Sequence, residues 1–265
     1  MENFNIKRFG HTFKWYFCEN RQQLLYWTIG LALATLVIES FIIYTSIGQI
    51  PGYKLDKVNT LMLIPLCLLT GAFASAMAWS NIFSCLKVKQ KRISFLTLPA
   101  TNAERFLAAL ILSVVIWPLC ILIAICLGDT LRMLLFGLFG KGWVSLLSVI
   151  TSIEEEGITG QFQGLKIASQ VASSLWLCSI FILGGTWLRK HPFIITGFAL
   201  VVLFSVFTYI VVHYFNDNTF DNFDNQDYRI YCTIAIFLLL AIANFMGSYW
   251  LFKRFQLITS KWFNV

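Results

Sequence analysis

Apolar runs separated by short polar stretches set the organisation of this chain. Six of the runs reach the ~20 residues that a bilayer core requires of a helix. They lie at about 24–47, 60–86, 106–127, 167–188, 192–214 and 230–252. The pattern predicts an all-α integral membrane protein, with residues 1–265 forming a single transmembrane domain of six helices. Trp27, Tyr44, Trp187, Tyr214, Tyr231 and Trp250 stand at predicted span ends, as an interfacial aromatic belt would.

The polar interruptions carry the detail. Residues 3–20 interleave Lys7, Arg8 and Lys14 with Phe4, Phe9, Phe13, Trp15 and Phe17, a mixture that suits either an interfacial helix at the headgroups or a plain basic flank. Glu39 falls inside the first span, where a carboxylate is expensive and faces protein or water. It is a candidate intramembrane polar site, or else a structural hydrogen-bonding group. Gly71, Ala72, Ala74, Ser75, Ala76 and Ala78 give the second span a small-residue surface for close helix approach. Pro118 predicts a kink in the third. Leu131–Ile150 is apolar enough to suggest a further crossing, but it contains Arg132, Lys141 and three glycines. A crossing there would also put Arg189-Lys190-His191 outside and the acidic stretch 217–227 inside, against the positive-inside rule. An amphipathic or re-entrant segment on the outer face, between spans three and four, satisfies both constraints.

Charge then orients the chain. Mean hydropathy is +0.72 and only 12% of residues are charged, which excludes a soluble domain. With six spans, the inner side carries fourteen of the 20 cations with Glu2, Glu19 and Glu104, and the outer side carries the other six with nine acids. Both termini are therefore expected in the cytoplasm. The first twenty residues have no short apolar core of the kind that marks a cleavable signal. Seven scattered cysteines without a C-x-x-C point to buried small hydrophobes, not disulfides or metal ligands.

The most informative interruption is Lys87–Arg105. Four cations (Lys87, Lys89, Lys91, Arg92) precede a short apolar turn, Pro99 breaks the helix, and Thr101-Asn102-Ala103-Glu104 matches a capping box that restarts it. One reading is a solvated loop whose cations only set topology. The other comes from Thr97-Leu98-Pro99-Ala100-Thr101-Asn102-Ala103-Glu104-Arg105-Phe106, placed between a second and a third span. This segment resembles the first cytoplasmic loop of permease subunits of ATP-binding-cassette (ABC) transporters of the type 2 export class. The resemblance implies that Ile93, Phe95, Leu96, Leu98, Pro99, Thr101, Glu104 and Arg105 form an ATPase-coupling segment docking on a separate ATP-binding subunit. It also implies an elbow helix at the N-terminus, pairing of two permeases as a homodimer or heterodimer, and export across a bacterial cytoplasmic membrane.

The chain's own chemistry fits that expectation. It has no G-x-x-x-x-G-K-[ST] to cradle nucleotide phosphates, no G-x-S-x-G, and only three histidines, none spaced as metal ligands. No enzymatic activity, cofactor, metal or nucleic-acid partner is expected, and lipid is the surrounding medium. Two alternatives stand beside the exporter: a non-transporting scaffold or sensor subunit, and a secondary transporter, which would need more intramembrane charge than Glu39.

Overall fold

The computed structural model describes residues 4–47, 64–83, 89–139, 145, 163–214 and 226–254. The expected outer loop at 48–59, Glu154–Glu156 and the acidic stretch 216–225 lie outside the described residues. In chain order the helices are α1 (Ile6–Ile47), α2 (Ile64–Ser80), α3 (Lys89–Leu96), α4 (Asn102–Ile111), a π turn (Leu112–Ile116), α5 (Trp117–Leu138), α6 (Gln163–Trp187), α7 (Pro192–Tyr214) and α8 (Gln226–Lys253). No strand occurs among the described residues. Among the described residues, four helical stretches are long and apolar enough to cross a bilayer: 6–45, 102–138, 167–187 and 230–253. The chain is thus an α-helical, multi-pass membrane protein. Helices α2 and α7 add shorter apolar stretches, Pro65–Ser80 and Pro192–Val206.

Two of the long helices run past the expected span limits. Residues 6–47 form one continuous helix, so no helix break separates the stretch 3–20 from the first span. At 1.5 Å per residue α1 is about 63 Å long, roughly twice a bilayer's ~30 Å hydrocarbon core. Nothing between Asn20 and Leu24 stops a helix. The region lacks proline, and the one polar group able to compete, the Asn20 amide, donates back to the Tyr16 carbonyl at 2.8 Å within the helix. The third span was expected at 106–127, but helix continues to Leu138. Its irregularity comes earlier, at Leu112–Ile116. Pro118 has no N–H to give the carbonyl four residues back, and the wider π turn occupies the place where that bond is missing.

The chain divides into two compact units. One comprises the described residues of 1–13, 76–110 and 162–265. Within it α6 packs on α7 and α8. Ala76, Phe181 and Leu200 form a buried cluster flanked by Trp79, Leu177, Ile180 and Phe193. Trp176 stacks on Phe237 with centroids 5.1 Å apart, and Asn244 donates to the Ser179 hydroxyl at 3.1 Å. Gly185 lies against the Ser80 carbonyl, where any side chain would collide with backbone. His191 takes a left-handed φ of 47° in the tight Arg189–His191 turn before α7, a conformation that histidine adopts more readily than most residues.

The other unit comprises the described residues of 14–75 and 111–161. Within it α1, α2 and α5 pack together. Trp27 meets Trp117 edge-on with centroids 6.2 Å apart. Gly128 rests directly on Thr35 and the Ala32 carbonyl, a close approach that only a residue without Cβ allows.

Candidate functional site

Among the described residues polar chemistry gathers in two places, one in each unit. The first is the segment from α3 to the start of α4. Helix α3 is short and polar, and its described side chains divide by face. Phe95 is fully buried, edge-on to Phe252 at 6.2 Å, and Phe252 stacks on Phe83 at 5.0 Å. Phe106 and Tyr249 complete this aromatic cluster. Ile93, by contrast, is 41% exposed, and Ser94, Thr97 and Pro99 are exposed with it. Arg92 is buried, and burial followed by the nearby Arg189 guanidinium holds it below the ordinary arginine value. Thr97 ends the helix by donating its hydroxyl to the Ile93 carbonyl at 2.9 Å.

Past Pro99 the capping box forms as its residue types predict. The Thr101 N–H donates to Glu104 Oε2 at 2.9 Å, and the Glu104 N–H donates to Thr101 Oγ1 at 3.3 Å. The Glu104 carboxylate does more than cap. Arg8 grips it with both Nε (2.8 Å) and Nη2 (2.9 Å), and the Asn5 N–H donates to Oε1 at 2.9 Å. Glu104 is fully buried as a result, and the N-terminal turn of α1 is pinned to the loop. Arg105 donates to the Leu98 carbonyl at 2.5 Å, bracing the chain on both sides of the proline.

The apolar face expected of Ile93, Phe95, Leu96 and Leu98 therefore divides. Ile93 points outward, Leu98 is half-buried, and Phe95 belongs to the protein's own interior. The Leu96 side chain lies outside the described residues.

The second place surrounds Glu39. Its Oε2 accepts from Arg132 Nε at 2.8 Å, and its Oε1 accepts from the Cys67 thiol at 3.0 Å. Arg132 also pairs with Asp129 one turn earlier on α5, and Asp129 Oδ2 accepts from the Ser145 hydroxyl at 2.7 Å. Glu39 and Arg132 are both fully buried. A charge in apolar surroundings is tolerable only when paired and hydrogen-bonded, and here each ion meets its opposite.

No family model, curated protein or solved structure matches this chain.

Sequence reasoning singled out Glu39 and missed its partners. The sequence places Arg132 in an outer amphipathic or re-entrant segment, counts Asp129 among the outer acids, and reads Cys67 as a buried small hydrophobe. A signal was present: Asp129 and Arg132 lie three residues apart, on one helix face, at the end of an apolar run. A cation there and a lone carboxylate in another span are the two halves of a buried pair. Among the described residues no group of His, Cys, Asp and Glu could hold a metal ion.

Proposed function

We propose that this chain is the permease subunit of an ABC exporter, with six spans, both termini in the cytoplasm of a bacterium, and a separate ATPase docking on the segment 89–105. On this reading α2 and α7 cross the membrane together with the four longer helices, and the permease pairs with a second copy or a similar chain.

The observation that carries it is the construction of that segment. A short helix and the turn after it leave Ile93, Ser94, Thr97 and Pro99 exposed while Phe95 roots the helix in an aromatic cluster, and Arg8 locks the segment's exit at Glu104. A loop that served only as a topology signal would need its cations and nothing else. A platform held rigid on one face and presented on the other can take a push from a partner and pass it to the helix that follows. Leu98 and Ile93 supply the apolar contact, in the manner of a helix docking in a groove.

The test is affinity purification of the full chain in mild detergent, with identification of the co-eluting protein and measurement of its ATP turnover. An ATPase in stoichiometric amount, lost on Ile93→Asp while membrane insertion is kept, supports the reading. Absence of any ATPase overturns it. An ATPase whose turnover responds to no substrate leaves the scaffold or sensor role instead.

A further inference from the structure

The Glu39 cluster is a poor device for stability. Each ion taken from water costs several kcal/mol, and the pair's attraction repays this only in part, so apolar residues of similar volume would hold the helices at least as well. The best-attested use of such a pair is to fix register or to switch. Its geometry here is that of a fastening. Glu39 comes from α1, Cys67 from α2, and Asp129 and Arg132 from α5. Four residues before Glu39 stands Thr35, four before Arg132 stands Gly128, and those two also touch. The helices α1 and α5 therefore run in the same direction with two contacts in step, a close backbone approach and then an ion pair one turn on. The first contact is a steric fit at a residue without Cβ. The second is directional and is lost when either helix turns or shifts by part of a helical turn.

We propose that Glu39–Arg132–Asp129 is a latch between α1 and α5 that opens and closes in the protein's working cycle, with Cys67 buried behind it while it is shut. The inference rests on the exporter reading for its driving force. Helix runs from α4 through the π turn into α5 without a break, so a displacement imposed where α4 leaves the docking segment travels along the helix to Arg132. Opening would hydrate Glu39 and expose the Cys67 thiol to a water-borne reagent.

The test uses full-length protein with Cys67 as its sole cysteine, expressed in cells and exposed to a membrane-permeant maleimide. It is compared with the same protein carrying Glu39→Met, Asp129→Leu and Arg132→Met, which replaces the latch by an apolar contact. A latch that visits its open state predicts that Cys67 labels at least about tenfold faster with the native cluster than with the apolar one. Equal rates overturn the proposal. Should the triple variant fail to insert, Arg132→Gln breaks the fastening directly. Labelling at least about tenfold above native then supports the latch, and an unchanged rate overturns it. Ile93→Asp separates the latch from its driver. If it slows labelling to the apolar variant's rate, the partner drives opening. If labelling stays fast although the ATPase is lost, the latch stands and opens without the docked partner as its driver.

Discussion

Ile93 and Phe95 are two residues apart on one short helix and meet opposite surroundings. Their substitution should separate docking from folding. Phe95→Asp places an unpaired carboxylate among Phe83, Phe106 and Phe252, a cost of several kcal/mol. The expected result is loss of heat-stable protein in detergent, whatever partner is present. Ile93→Asp adds a charge to an exposed position, so the melting temperature should stay near native while the partner ATPase is lost. A large drop in melting temperature for Ile93→Asp would contradict the exposed placement. Glu104 and Arg8 make an unequal pair in the same way. Glu104 accepts from Arg8 Nε and Nη2, from the Asn5 N–H just before α1 and from the Thr101 N–H of the capping box, whereas the Arg8 side chain is one-third exposed and can rehydrate. Glu104→Ala should therefore destabilise more than Arg8→Ala. A lost charged hydrogen bond costs about 1.5–3 kcal/mol, and Glu104→Ala also leaves the Thr101 N–H without its capping-box acceptor. Thermal unfolding of the two variants checks the order, and equal losses would mean the capping bonds contribute nothing measurable.

At the scale of elements, the glycines of α1 and α5 show which helix faces are in use. Gly128 touches Thr35 and backbone, so Gly128→Leu must force α1 and α5 apart. Overpacking of this kind costs about 1–3 kcal/mol, and here it also separates Glu39 from Arg132. Loss of melting temperature together with faster Cys67 labelling is the expected pair of readouts. Gly30, on α1, has nothing within 4 Å of where a Cβ would stand. Gly30→Ala should leave labelling unchanged in the isolated chain and raise stability by up to about 1 kcal/mol through helix propensity alone. A marked loss there would show that this face is covered in the assembled protein. The π turn belongs to the same scale. Pro118→Ala restores the missing N–H, and recovery of a regular α-helix through Leu112–Ile116 would confirm proline as its cause.

For the whole molecule the decisive measurement is sidedness. With six spans, single cysteines at positions 155 and 222 should label from outside intact cells, and one at position 90 should not. The reverse pattern would overturn the inner placement of the α3–α4 segment, and the ATPase contact with it. Labelling of all three from outside would mean an even number of crossings between 90 and 155, where the six-span layout has one.

The apolar runs were enough to determine the class of this protein, because the length and hydropathy of a bilayer-crossing helix are properties of contiguous residues. They also located Pro99 and the Thr101–Glu104 capping box, whose chemistry is contained within four residues. Helix ends were less legible. Asn20–Leu24 and Gly128–Arg132 resemble interruptions in composition, yet helix continues through both. In the second case the reason is tertiary: Thr35 accommodates Gly128, and Glu39 neutralises Arg132. Partners distant in sequence were not legible at all. That Glu104 would be gripped by Arg8, 96 residues away, or Glu39 by Arg132, 93 away, is set by which helix faces come together. The same holds for Phe95, whose burial depends on Phe252 arriving from the last helix. Local sequence specifies what a residue can bond. Only the packing of helices decides which of those bonds is made, since an ion or a ring in apolar surroundings is satisfied by whichever neighbour the fold delivers.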